Sequence, residues 1–454
     1  MNNFNHRKGA ALILSMIFVL IFAALAVSMA ALSGTNVQIA NNQRFTNQAM
    51  AAAESGLGVM RFWLSRIQMP SSTPLANYFD SVINNLQSDL AANYVSNITV
   101  SNNGLTGSVM LDSVKKCSFS SKLYIDPASP TVLQVTVTGI AGGMKRKVRA
   151  CFNISPYEYP IFNYGFATKG AVHFPQNPTV SGANNFWEAD IYIESMNDPV
   201  ALFAGGNINL DGDIAIANPL GSTDFQQDVI IAGEHGQSAI DNHVFIGVDP
   251  VEFPVPDTPH FQQYVTGSTI DSLTDTTSSM IITNSTISAG TNPTFGGNVT
   301  IEGVLFVESP NIIIFDRNVQ LNGLIVGDGG VINEGTDAIT FRGNFATGPY
   351  PAGIEFDAIR QETGSSIIAP AFGVSFEGNF SALDGVIAVD GASFSGNASA
   401  VVKGTIINYS DNPLTVYGNA SITFDRQSCT KIPAGFDLLR VLKYDASTYS
   451  EPII

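Results

Sequence analysis

Twenty-three residues, Ala10 to Leu32, pass without one charged side chain, and nothing else in the chain restricts its fold as tightly. At ~1.5 Å per residue a helix of that length crosses a hydrocarbon core of roughly 30 Å. His6, Arg7 and Lys8 precede the run, so the excess of positive charge holds that end in the cytoplasm and sends the bulk of the chain outward. A secretory signal has a similar basic start, but its apolar core is only about 7–15 residues and ends in a small-residue cleavage site, which Ala26 to Ala31 imitates. The run here is longer and a helix continues out of it. A retained membrane helix with a short leader is expected.

Beyond Leu32 the helical period persists. Val37, Phe45, Ala49, Ala52, Gly56, Met60, Trp63 and Ile67 recur at steps of three and four, with polar residues such as Asn41, Arg44, Glu54 and Arg61 between them. Pro70 and the stretch 71–74 end the pattern. The spacing predicts one helix from Ala10 to about Gln68, within a segment 10–69. Half of it is suited to lipid and half is amphipathic. Such a helix needs a partner, either a sheet of its own chain or neighbouring copies in a fibre.

A basic leader ending in Gly9, the opening Ala10-Ala11-Leu12-Ile13 and the later Ala51-Ala52-Ala53-Glu54-Ser55-Gly56-Leu57 resemble the PilX-type minor pilins of the type IV pilus and type II secretion superfamily. The resemblance covers the first seventy residues and weakens towards Ser155. It implies a leader, residues 1–9, removed by a prepilin peptidase between Gly9 and Ala10, and a methylated amino terminus at Ala10. It also implies insertion in the inner membrane, packing against other pilin or pseudopilin subunits, and display at the cell surface after assembly. Leu14 stands where major pilins carry Glu, which favours a minor, tip-located subunit over an abundant one.

Residues 70–155 read as a small α+β body. Leu75 to Tyr94 has helical character; 97–100, 121–125, 132–137 and 146–151 alternate apolar and polar residues as antiparallel strands do. Lys145, Arg146, Lys147 and Arg149 fall either on a solvated strand face or where the acidic module leans back. Cys117 and Cys151 both lie in strands of this sheet, either as a disulfide, which an extracytoplasmic location permits, or as two unpaired thiols. No Cys or His cluster has metal-ligand spacing, and no cofactor is expected.

Charge divides the chain. Residues 1–150 hold twelve Lys/Arg and five Asp/Glu; of totals of 21 and 38, that leaves nine and thirty-three for the remainder. A module so acidic repels nucleic acid, which excludes the simplest nucleic-acid partner.

From Pro156 the helical period disappears and a repeat begins. Phe precedes Asn by three residues at Phe174/Asn177, Phe295/Asn298, Phe315/Asn318, Phe341/Asn344, Phe376/Asn379 and Phe394/Asn397, with Val416/Asn419 a variant and Phe203/Asn207 one residue longer. Gly follows five places after Asn177, Asn207, Asn298 and Asn318. Coils of about twenty residues with short strands and tight turns predict a parallel β-helix, a β-solenoid, over 156–430. Phe should stack in its core, with Asn and Gly taking left-handed backbone at its corners. Two insertions interrupt it, near 249–275, which is proline-rich from Asp249 to His260, and near 347–370. Residues 431–454 are expected to cap its open end. The fold class is therefore α+β followed by all-β.

Parallel β-helices also include enzymes acting on polysaccharide, which need converging carboxylates. Asp211, Asp213, Asp316 beside Arg317, Glu355, Asp357 and Asp384 are the candidates, and most sit at turns where Asp is favoured for local hydrogen bonds. Calcium at Asp211/Asp213 or at 327–330 matches no full ligand loop. The reading is a non-enzymatic minor pilin or pseudopilin-like subunit displaying an acidic solenoid for adhesion to a glycan or another surface. A membrane-anchored polysaccharide-acting enzyme and a fixed envelope scaffold are the alternatives.

Overall fold

The computed structural model describes residues 7–452 apart from 71, 330–336, 396–398, 428, 430, 431, 437 and 438; the side chains of 7–10 and 381 also lie outside the described set. Most of the expected leader and the side chains of Gly9 and Ala10 therefore fall outside it. The chain forms two compact units, one of residues 1–157 with 438–454 and one of residues 158–437.

The first unit is built on α1, Arg7–Leu64, a helix of 58 residues and hence about 87 Å long at ~1.5 Å per residue. It stops at Leu64 rather than Gln68. The amides of Arg66 and Ile67 bond to the carbonyls three residues back, and Gln68–Pro70 then extends as β1. Every residue from Ala11 to Arg44 is exposed. From Ala49 onward one stripe (Ala49, Ala52, Ala53, Leu57, Met60, Trp63, Leu64) is buried. That stripe lies on the apolar face of an antiparallel sheet containing β2 (Val109–Asp112), β3 (Cys117–Ile125), β4 (Val132–Ala141) and β5 (Met144–Pro156).

The small residues of α1 have a steric reason. A Cβ on Gly139 of β4 would sit 2.0 Å from the Ala49 carbonyl oxygen and 2.4 Å from the Ala53 amide, and one on Gly56 would sit 2.6 Å from the Phe119 ring. Helix backbone and strand backbone touch there, which is why the alanine-rich stretch is where the sheet docks. Helix α2 (Tyr78–Ala92) adds Val82, Ile83, Leu86 and Leu90 to the same core. Residues 97–100 form no strand, only an isolated bridge from Val100 to Thr106. The two-residue turn Gly142-Gly143, with φ of 55° and 86°, closes the β4–β5 hairpin, as right-handed strand twist favours.

One expectation fails in this unit, and one open alternative is decided. The C-terminal segment does not cap the second unit. Strand Leu439–Ser450 pairs antiparallel with β5, Arg440 opposite Pro156 through Asp445 opposite Cys151, and with β1, Gln68 opposite Val441. β4 covers one edge of β5, and the backbone groups along its other edge need this partner. Residues 158–437 are thus inserted between two neighbouring strands of one sheet. Of the two readings left open for Cys117 and Cys151, the structure has the second: both are free thiols. Ser118 pairs with Ile140 of β4, whereas Cys151 pairs with Gln134. The two cysteines lie on opposite sides of β4 and about seven residue steps apart along it, roughly 23 Å, far beyond the ~4.4–6.8 Å between bridged Cα atoms.

The second unit is almost entirely parallel ladders. Val299–Val307 pairs in continuous register with Val319–Gly327 on one side and, with a one-residue shift at Asn284, with Met280–Ile287 on the other, and Val319 pairs in turn with Phe345, and Phe345 with Phe380. Strands therefore recur once per coil. Their inward residues stack: Phe295, Phe315, Phe341, Phe376 and Phe394 form a column with centroid spacings of 4.8, 5.2, 5.1 and 5.3 Å and nearly parallel rings. Asn397, which belongs to the last of these coils, lies outside the described residues. At Phe203 the expected register shifts. Ala204 pairs with the buried Phe174, while Phe203 is half-exposed against His173, so the inward position is Ala204 and the usual three-residue spacing to Asn207 holds.

Stacking order differs from sequence order. The strands of residues 406–424 pair with those of 166–182, and 166–182 are followed by 191–210, then 214–231 with 244–246. The first coils in the chain thus lie in the middle of the stack. After Ile246 the chain returns outside the coils. Val251 N–H donates to the Tyr192 hydroxyl (2.9 Å), the Tyr409 hydroxyl donates to the Pro254 carbonyl (2.5 Å), and Phe261 packs among Val304, Phe306, Leu324 and Ile368. Coiling resumes at Thr269. The proline-rich stretch is a strap joining the two series. The later insertion spans 348–364, and its Phe356 and Ile359 cover the same outer apolar face as Phe261.

Candidate functional site

Three places could carry function: the bare half of α1, the titratable groups of the coil stack, and its polar corners. The first is the largest. Leu12, Phe18, Leu20, Phe22 and Val27 stand 66%, 53%, 65%, 67% and 70% exposed. Their segment has the length and composition to cross a membrane. Such apolar exposure all around one helix has no counterpart elsewhere among the described residues.

The carboxylates singled out from the sequence do not converge. Asp316 lies six ladder steps from Asp211, about 29 Å at ~4.8 Å per step. Each has a local duty instead. The Asp211 carboxylate accepts the Gly182 N–H at 3.1 Å, Asp316 takes the Arg342 guanidinium at 2.9 Å, and Asp357 bonds Arg360 one turn on. Asp384 is exposed on its strand and Arg317 at its corner. Among the described residues no group of three His, Cys, Asp or Glu side chains is arranged to hold a metal ion.

Asp213 acquires titratable partners that the sequence did not show. His243 Nδ1 lies 2.7 Å from its Oδ1, and His243 Nε2 lies 3.8 Å from Glu234. The Asp213 N–H donates to Asp190 Oδ1 at 2.9 Å. Burial, with a lesser push from the Asp213 charge, raises the Asp190 carboxyl to about 6. Asp190, Asp213 and His243 each immediately precede a strand of one ladder, so the column is made by coil stacking, with no sequence motif to reveal it. His243 closes α3 (Gly236–His243), whose Ala239 and Ile240 pack on the end of the core. The arrangement fastens that helix to the stack.

A similar knot joins strap and insertion. Glu362 accepts from the Tyr264 hydroxyl (2.7 Å) and lies 2.8 Å from His260 Nε2; burial first, and then this carboxylate, push the Tyr264 phenol up to about 12. Glu188 is fully buried. Desolvation alone would raise its carboxyl, but the N–H groups of Asn184, Asn185 and Arg426 with the Asn184 amide outweigh it and lower it.

The Asn corners form the third feature. Asn318 Oδ1 accepts the Asn344 N–H, Asn177 Oδ1 the Asn207 N–H, and Asn207 Oδ1 the Asp228 N–H. Left-handed backbone accounts for part of the glycine pattern only. Of the glycines five places after Asn, Gly303 has φ of 76°, whereas Gly212 and Gly323 are not left-handed and are required because a Cβ would lie 2.3 and 1.9 Å from backbone of the adjacent coil; none of the described asparagines of the repeat is left-handed.

No family model matches this chain, and no curated protein matches it. Among solved structures, the crystal structure of the competence-associated pilin ComZ from Thermus thermophilus aligns over 90% of this chain and 98% of that chain, at 13% sequence identity and a TM-score of 0.24. A TM-score of that size does not establish a shared fold.

Proposed function

We propose that this chain is a pilin-like structural subunit that is anchored and assembled through α1 and presents its second unit as an acidic parallel β-solenoid on the cell surface. One observation carries the reading: a single unbroken helix is bare and apolar over Ala11–Leu32 and packed against its own sheet from Ala49. The free half suits lipid before assembly and the helices of neighbouring copies afterwards, since both exclude water from the same side chains. The in-register parallel ladders and the phenylalanine column support the solenoid, and its 31 Asp/Glu against seven Lys/Arg in residues 158–437 suit presentation in water.

On this reading a prepilin peptidase cleaves between Gly9 and Ala10, Ala10 becomes the methylated terminus, and the partners are other pilin or pseudopilin subunits. Placement at or near a tip follows from Leu14, which lacks the carboxylate of abundant subunits. The test is processing. Co-expression with a prepilin peptidase should shorten the wild-type chain at Gly9, and Gly9→Leu should leave it full length in the membrane. A wild-type chain that the peptidase leaves untouched would return α1 to the role of a plain anchor.

A further inference from the structure

Three successive coils place their polar corners side by side. Thr300, Gln320 and Ala346 are in register on neighbouring strands, next to Asn298, Asn318 and Asn344. Together these side chains line an open groove of about 330 Å³. Its floor is fixed from below, because Val299, Val319 and Phe345 are buried in the core. The three asparagines are exposed, and the threonine, glutamine and alanine half-exposed.

The chemistry of the groove is restricted. No charged side chain lines it, so it offers nothing to neutralise an anion, and the surrounding unit is strongly acidic. The Asn318 carbonyl oxygen is held by the Asn344 N–H at 3.1 Å, which leaves its NH₂ as a donor without a protein partner among the described residues. Gln320 Nε2 donates to Asn322 Oδ1 at 2.9 Å, which leaves the Gln320 oxygen as an acceptor. The floor strand Val299–Val307 is paired on both sides, so no free strand edge is present to take up an extended peptide. What remains is a rigid row of amide donors and acceptors and a hydroxyl, repeating at about 4.8 Å along the stack.

We propose that this groove binds an unbranched neutral oligosaccharide laid along the stack, its hydroxyls bridging the amides of successive coils. An uncharged, hydroxyl-rich polymer with a short repeat satisfies these groups without bringing a charge into an acidic surface. The site does not depend on processing at Gly9, so the two proposals fail separately.

The test uses the full chain in a sugar-free detergent and saturation-transfer NMR with linear hexasaccharides of glucose, mannose, xylose and N-acetylglucosamine, with oligogalacturonate as the anionic probe. At least one neutral oligomer should receive saturation and oligogalacturonate none. Asn318→Asp keeps the acceptor for the Asn344 N–H but removes the free donor and adds a charge; it should weaken binding at least tenfold with an unchanged melting curve. Ala346→Trp, which fills the groove from its floor, should do the same. Silence with all four neutral oligomers, a preference for oligogalacturonate, or neutral binding that survives Asn318→Asp in a normally melting protein would overturn the assignment.

Discussion

The two halves of α1 obey the same backbone rules and have opposite relations to the rest of the chain. From Ala49 to Leu64 the apolar residues form one stripe and the sheet covers it; from Ala11 to Leu32 they surround the helix and no described residue covers them. A helix apolar on one side needs one neighbour, and its own chain supplies it. A helix apolar all round needs an enclosing apolar medium, such as lipid or a protein interior. The contrast separates folding from assembly within one element.

Substitutions can break either half alone. Gly139→Val should have the largest effect, because its side chain would enter the Ala49–Ala53 backbone. Loss of the near-ultraviolet circular dichroism of the first unit, with membrane attachment retained, is expected. Leu64→Ala, at a fully buried position, should destabilise the first unit by about 2–5 kcal/mol, read from its denaturation midpoint, again without releasing the chain from membranes. Leu20→Arg should do the reverse. A charge near the centre of the bare half costs roughly 2.5–3.5 kcal/mol on insertion, so carbonate extraction should release the chain while the melting of the sheet body is unchanged. The smallest expected effect is at Glu54, exposed and 3.5 Å from the Tyr449 hydroxyl. Glu54→Gln should move the melting point by less than ~0.5 kcal/mol equivalent.

A pH experiment sharpens the same separation from the other unit. Asp190 binds its proton more tightly when folded, at about 6 against an ordinary value of 3.8. The folded state therefore holds more protons between those values, and stability of the coil stack should fall as pH rises from about 4 to about 6. Asp190→Asn keeps an acceptor for the Asp213 N–H, and should make that slope shallower and raise the melting temperature at pH 7, while Asp390, which burial also raises to about 6, keeps part of the slope. The helix-and-sheet unit should not respond to the substitution.

Much of this was legible in the sequence where one residue type had to recur. Phenylalanine stacked at every coil must appear in one register, and it does from Phe295 to Phe394. The long helix was legible because lipid and an amphipathic stripe each leave a period. The order of the coils was not, because a parallel strand pairs as well with a coil far along the chain as with the next one: 406–424 lie on 166–182 through pairings with no local signal. The same holds for Leu439–Ser450, whose place was decided by the open edge of β5 opposite β4. The Asp190–Asp213–His243 column was hidden for another reason: successive coils bring its members together at separations of 23 and 30 residues, which no local motif marks. At Cys117 and Cys151 membership of one sheet was readable but register was not, and register decides whether two thiols can meet.

Whether the bare half of α1 is trimmed and built into a fibre can be tested on the native cells. Surface fibres are sheared off, and the amino terminus of this chain is determined by mass spectrometry. A chain that co-purifies with the fibres and begins at methylated Ala10 is the expected result. A chain that begins at Met1 and stays in the membrane fraction would contradict it.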